Sequence, residues 1–321
     1  MTTAGLLRPA MLAASRSPRL ERTISRLPAT RKLVDRFVAG ESEDAAIAAA
    51  QALLVSGRFI SIDYLGEDTT EIAQARNTVA HYLALLPALA ELTDGSPGIA
   101  GPLEISLKLS ALGQSLPHDG HAIALQHAHE ICSAAEASGV SVTIDAEDHT
   151  TTDSTLGIVR ELRADFPNLG TVLQAYLRRT ADDCRELSGP GSRIRLCKGA
   201  YREPASVAYQ SATDVDLSYL RCLRILMDGQ GYPMVATHDP AMIAAARRYA
   251  GECERGVEDF EFQMLHGIRE AEQLRLTGDG YHLRVYLPYG DQWYGYFMRR
   301  LAERPANLAF FLRSLTPGNR R

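Results

Sequence analysis

Short β-rich stretches recur along the chain, separated by helical patterns. The strand-like runs fall at 58–64, 103–109, 140–146, 171–176, 193–197, 233–237, 260–264 and 282–287. Between them, apolar residues take a helical period at 67–91, 120–138, 152–165, 203–229 and 239–254. Strand and helix alternating in this way predict a parallel sheet, and eight repeats predict a (β/α)8 barrel. A doubly wound open sheet is the structural alternative. No GxGxxG follows any strand, which weakens the dinucleotide-binding version of that alternative.

The strands also alternate within themselves. Leu103, Ile105, Leu107 and Leu109 oppose Glu104, Ser106 and Lys108; Val140, Val142 and Ile144 oppose Ser141, Thr143 and Asp145. Arg193 and Arg195 oppose Ile194 and Leu196, and Phe260, Phe262 and Met264 oppose Glu261 and Gln263. Parallel strands covered on both faces usually read as continuous apolar runs. Helices clothe the outside of a barrel, so the polar set is expected in the lumen. Unpaired charges there would be costly, which predicts a lumen filled by ligand and water.

Residues 1–55 read as helical, broken by Pro9, Pro18 and Pro28, and EDAAIAAAQALLVSG is a strong helix ended by Gly57. Surface loops are expected at 92–102, 188–192 and 277–280. The 321 residues suit one large barrel or two smaller domains, and 45% hydrophobic with 23% charged residues is ordinary for a globular protein. The net charge of −5 offers no basic footprint for nucleic acid. Five scattered cysteines without a CxxC argue against disulfides or zinc and fit a reducing cytoplasm. No apolar run reaches the ~20 residues of a membrane span. Residues 1–36 are basic, with Arg8, Arg16, Arg19, Arg22, Arg26, Arg31, Lys32 and Arg36 against Glu21 and Asp35. They read as a surface helix pair, with a transit peptide or peripheral contact with anionic lipid as alternatives.

Barrel ligands sit at the C-terminal ends of the strands. The polar residues collected there are Asp63, Lys108, Asp145, Gln174, Arg195, Lys198, His238, Gln263 and Tyr286. In the last helical stretch, YGYFMRRLAER, Tyr296, Arg299, Arg300 and Glu303 share one face. If that helix swings over the mouth, Lys108, Arg195, Lys198, Arg299 and Arg300 make a cationic site for a carboxylate or phosphate. Each residue has a structural reading beside the functional one: Lys108 as a paired strand charge, Asp145 and His238 as caps. His127 and His129 do not share a helix face, so a metal site is not expected. Asp145 and Glu147, two apart, do not by themselves flank a sugar bond.

In order along the chain stand SLKLSALG (106–113), TIDAED (143–148), LQAYLRR (173–179), IRLCKGAYRE (194–203), ATHDP (236–240), FEFQMLHG (260–267), VYLPYG (285–290) and YFMRRLAE (296–303). Through these blocks the chain resembles the proline dehydrogenases, both the monofunctional bacterial type and the domain of bifunctional proline utilization proteins. The chain thus divides into an N-terminal helical segment (1–55), a barrel (56–315) and a tail (316–321), and the resemblance implies that the (β/α)8 barrel is distorted, binds FAD and carries its last helix over the mouth. It implies that Lys108, Arg299 and Arg300 bind the substrate carboxylate, with Tyr286, Leu265, Tyr201 and Tyr296 shaping the pocket. Asp145 and Arg195 look like the family's catalytic strand-end pair. Ala146, Gln174, Arg195, Lys198, Gly199, Ala200, Thr237, His238, Gln263 and Glu303 look like its FAD contacts. Arg202 departs from the Trp that bifunctional members carry there, which puts the adenine end of the site in question.

The implied reaction is oxidation of L-proline to Δ1-pyrroline-5-carboxylate, the first step of proline breakdown to glutamate. A quinone-type acceptor would take the electrons, and a separate pyrroline-5-carboxylate dehydrogenase the product. A Schiff-base aldolase using Lys108 or Lys198, and a binding module without catalysis, are the rival classes.

Overall fold

The computed structural model describes residues 34–92 and 101–303, with side chains through residue 298. The helix pair expected before residue 34, the basic cluster up to Lys32 and the tail at 316–321 lie outside the described residues.

Eight strands close a parallel barrel in sequence order: β1 Phe59–Tyr64, β2 Leu103–Leu107, β3 Ser141–Ile144, β4 Gly170–Gln174, β5 Arg193–Cys197, β6 Tyr232–Ala236, β7 Glu261–Leu265 and β8 His282–Tyr289. The open-sheet alternative is thereby excluded, because β8 pairs with β1 from Phe59↔Arg284 to Tyr64↔Tyr289. The helices are α1 Glu43–Val55, α2 Ile72–Ala90, α3 Gly120–Ala137, α4 Thr152–Leu162, α5 Thr180–Leu187, α6 Ala212–Asp228, α7 Pro240–Glu252, α8 Glu270–Gly278 and α9 Trp293–Glu303.

Helix starts follow capping chemistry. Ser42 Oγ accepts from Ala45 N at 3.3 Å to open α1, and Glu43 and Asp44 complement its dipole. The expected helix over 203–229 begins only at Ala212. Ser211 Oγ caps it by accepting from Asp214 N at 3.1 Å, and residues 203–211 are loop, pinned instead to the segment after β4 through the Leu177–Ala208 bridge. Helices α5 and α8 were not read from the pattern, and α8 takes Thr277 and Gly278 out of the expected 277–280 loop.

α1 packs on β1, β8 and α2, and Gly57 at its end lies against Thr277 of α8. It therefore fills the outer slot between β8 and β1, where the helix after β8 would ordinarily lie. Helix α9 is thereby free to sit elsewhere. Its Trp293, Tyr294, Tyr296, Phe297 and Met298 bury against Val34, Phe37, Val38, Leu65 and Ile268, with Leu265 and Tyr286 packed alongside. Those contacts place α9 over the ends of β7 and β8. Residues 34–40 run across the same edge: Ala39 N donates to Pro288 O at 2.9 Å and Arg36 Nε to Gly267 O at 3.3 Å. Gly267 allows that approach. It sits at φ +69°, and an added Cβ would lie 1.8 Å from Arg36 O.

The register carries one residue set inward around the whole sheet, through Ser61↔Glu104, Val172↔Arg195, Arg195↔Met234 and Leu265↔Tyr286. The lower lumen corrects the expectation of ligand and water. It is closed by paired charges with no exposed surface. Glu104 accepts from Arg193, from Arg195 at 2.6 Å and from Thr143 at 2.8 Å. Arg284 binds Glu261 in a fork, at 2.7 and 2.9 Å, and donates to Ile60 O and Gly101 O, both at 2.9 Å. Pairing offsets much of the cost that the alternation implied, while Arg193 Nε and Nη1 and Arg195 Nε are buried without a hydrogen-bond acceptor among the described residues.

Burial raises the Glu104 carboxyl, but Arg284, Arg193 and Arg195 outweigh it and hold it far below the usual range. Its stabilising charge is therefore present above the unfolded-state value of about 4.3 and wanes as pH falls below it. Glu104→Gln is expected to cost about 3–5 kcal/mol at pH 7 in urea unfolding, because two guanidiniums lose their counter-charge. The gap to wild type should narrow on moving from pH 7 to pH 4.

Candidate active site

Above that closed floor, the inward positions continue to the mouth. Arg195 donates to Asp145 Oδ1 at 2.7 Å and to Ser106 Oγ at 2.8 Å, and Ser106 Oγ donates to Asp145 Oδ1 at 2.9 Å. Tyr286 Oη donates to Asp145 Oδ2 at 2.8 Å, and its ring lies 5.3 Å from the Arg195 guanidinium. Lys108, directly after β2, places Nζ 2.6 Å from each oxygen of Asp63 and 3.5 Å from Tyr286 Oη. One connected array thus joins β1, β2, β3, β5 and β8.

Its protonation is set by burial and pairing. Burial raises the Asp63 carboxyl to about 6, overriding the pull of Lys108. For Lys108, burial works downward but Asp63, Asp145 and Glu67 outweigh it, so the ammonium is held above its ordinary value. A Schiff-base lysine must reach its neutral form; Lys108 is held in the opposite sense. Lys198 is also raised, flanked by Asp216 at 2.5 Å and Asp239 at 2.9 Å. The cations expected at the mouth are present, and the paired reading of Lys108 holds as well. Lys108, Arg195 and Lys198 each face one or two carboxylates, because inward positions that bring in cations bring in acids beside them.

Lys108, Asp145, Arg195 and Tyr286 of this array line one wall of a cavity of about 830 Å³, with Asp63 behind Lys108. Lining it are Lys108, Asp145, Ala146, Gln174, Arg195, Lys198, Gly199, Ala200, Tyr201, Thr237, His238, Gln263, Leu265, Tyr286 and Tyr296. These residues come from seven strands or their ends, β2 to β8, together with the β5–α6 connection and α9. The side chains of Arg299, Arg300 and Glu303 lie outside the described residues. Local structure fixes several of the lining groups. Gln174 Nε2 donates to Glu147 O at 2.7 Å. His238 Nε2 accepts from Leu265 N at 2.9 Å, so the imidazole keeps its hydrogen on Nδ1 and is neutral.

The pattern does not single out three acids at or near this cavity, the half-exposed Asp216 and the buried Glu203 and Glu147. Asp216 reaches Lys198 from α6. Glu203 falls in the stretch read as helix, which hid its partners. Glu147 was weighed only as a sugar-bond acid. Its Oε1 accepts from Ser110 Oγ at 2.5 Å and its Oε2 from Ser110 N at 3.0 Å. It thus ties the turn after Lys108 to the end of β3. Burial pushes its carboxyl to about 7 against those two bonds. A carboxyl raised on folding binds its proton more tightly in the native state. Its contribution to stability therefore falls as pH rises between about 4.5 and 7. The stability difference between wild type and Glu147→Gln should shift against wild type across that window. Carboxyl NMR of the wild type should give a midpoint near 7 for Glu147.

Comparison with known proteins gives a consistent result. Residues 46–313 match the family model described as proline dehydrogenase. The chain is 40% identical to proline dehydrogenase 1 of Bacillus subtilis over 286 residues, covering 89% of this chain and 91% of that one. It is 39% identical to proline dehydrogenase of Deinococcus radiodurans over 315 residues, covering 98% and 99%. Among solved structures it resembles proline utilization A from Bdellovibrio bacteriovorus inactivated by N-propargylglycine, with a TM-score of 0.76 and 26% identity. That match covers 85% of this chain and 32% of the larger protein, so only about a third of the neighbour has a counterpart here.

Proposed function

The chain belongs to the proline dehydrogenase family, and we propose that it oxidises L-proline to Δ1-pyrroline-5-carboxylate with FAD held in the barrel-mouth cavity. The carrying observation is the array in which Lys108, Tyr286, Asp145 and Arg195 line that cavity, with Asp63 bound to Lys108 behind them. A volume of about 830 Å³ is in the range of sites for extended ligands, and one small amino acid would fill little of it. The lining amides, Thr237, neutral His238 and Lys198 suit ring heteroatoms and phosphates. The residues present therefore fit FAD, with Ala146, Gln174, Lys198, Gly199, Ala200, Thr237, His238 and Gln263 holding it and Glu303 assigned beside them by resemblance. When bound, FAD supplies the hydride acceptor.

The protein's part is orientation and charge. Lys108 takes one side of the proline carboxylate, and Arg299 and Arg300 are assigned the other by resemblance. Such a clamp fixes the ring carbon beside the nitrogen and offsets the cost of taking the anion out of water. Tyr286, Leu265, Tyr201 and Tyr296 wall the ring. The nitrogen must be neutral before its lone pair can form the C=N bond. Arg195, fixed by Asp145 and Glu104, supplies positive charge at the base of the cavity. The reading extends to a cytoplasmic enzyme that passes electrons to a quinone-type acceptor and product to a separate pyrroline-5-carboxylate dehydrogenase. Contact with a membrane, where the quinone resides, is peripheral in this reading. Among the described residues no helix is long and apolar enough to cross a membrane.

The purified protein should be yellow and bleach on anaerobic addition of L-proline; a colourless protein would sink the reading. Lys108→Met should raise KM for proline about 10–100-fold, the loss of one charge-assisted contact. Asp63→Asn combined with it removes the orphaned acid and separates misfolding from lost binding. Tyr286→Ser opens the wall, and the kcat/KM ratio of 4-hydroxyproline to proline should rise roughly tenfold. An unchanged ratio would show that Tyr286 does not bound the ring.

A further inference from the structure

The connection from β5 to α6 carries Lys198, Gly199, Ala200 and Tyr201 along the cavity. Between Lys198 and Gln210 it forms neither helix nor strand. Left to itself, such a segment would have to be ordered by whatever binds there, at an entropic cost to affinity. One residue from a different connection holds it. Tyr176, just beyond β4, donates its N–H to Lys198 O at 2.9 Å and accepts from Tyr209 N at 2.8 Å. Its backbone therefore brackets both ends of the loop.

Its side chain holds the middle. Gly199 sits at φ +107° flat against the Tyr176 ring, where an added Cβ would come within 2.3 Å of ring carbon. The phenol oxygen accepts from the backbone N–H of Tyr201 and donates to Glu203 Oε1 at 3.2 Å. Glu203 is buried, and it also accepts from His149 N at 3.0 Å and binds His149 Nδ1. His149 opens the turn after β3. Glu203 thus spans from the β5 connection to the β3 connection across the top of β4.

We propose that Tyr176 and Glu203 form a latch that orders the 198–203 loop in advance of its ligand. They are positioning residues for retention of FAD. The inference rests on the FAD reading above. Neither residue is asked to touch the reacting atoms. Both side chains also line the cavity, and the latch acts by fixing the loop between them.

The test is release of FAD from the holoenzyme on dilution, followed by the rise of free-flavin fluorescence. Tyr176→Phe removes one oxygen and keeps the ring under Gly199. Glu203→Gln keeps the volume and removes the charge. Each is expected to release FAD about tenfold faster, equivalent to about 1.4 kcal/mol if association is unchanged. The double variant should release FAD no faster than the more severe single one, because both break the same link. Excess FAD should restore kcat and KM for proline to wild-type values, which a general loss of folding would not permit. FAD release at the wild-type rate from Tyr176→Phe overturns the latch, as does a lowered Tm with unchanged release. Wild-type protein that holds no flavin overturns the FAD reading itself, and the latch with it.

Discussion

Inside the barrel, the Glu104 carboxylate accepts from two guanidiniums, Arg193 and Arg195, and the rest of the site stands on that arrangement. A closed parallel sheet sends every second residue inward. Here those positions carry charge from the floor to the mouth. Replacing buried pairs by apolar residues is often neutral or favourable, so the network is poorly explained as a source of stability. It is better understood as the foundation of Arg195. That guanidinium, 4% exposed, can stay charged below the cavity only because Glu104 and Asp145 meet it from two sides.

The same balance governs the mouth. Lys108 is gripped by Asp63, so its charge is largely matched before any ligand arrives. On the proposed reading, a substrate anion entering there meets a polarised but nearly compensated wall. Such a wall orients a carboxylate without attracting every passing anion. In the proposed reading, strong net attraction comes from groups outside the strands, a part assigned to α9 by resemblance.

The chain's periodicity made the barrel legible because alternating strands leave a signature in neighbouring residues. Leu103–Leu107 could be read from five letters. The short helices α5 and α8 could not, since eight and nine residues rich in charge leave too few apolar turns to show a period. The 203–211 stretch misled for a related reason. Ala205, Val207 and Ala208 look helical, but the long-range hydrogen bonds to Ala205 and Val207 come from Arg178, whose N–H donates to Val207 O and whose Nε donates to Ala205 O, about thirty positions away. The strand-end residues could be collected from the sequence, because the barrel rule places them together. Their partners could not: the link between Glu203 and Tyr176, or between Glu147 and Ser110, depends on loop shapes that no local pattern records.

The seam between β8 and β1 is covered by α1, which precedes the barrel in the chain. Closure therefore does not depend on the helix that follows β8. In most repeats of the barrel a helix must serve the sheet beneath it, and its sequence is constrained twice. Helix α9 is released from that duty. Its residues can be exchanged while the sheet stays shut, so the helix over the mouth can change faster than the scaffold that carries it.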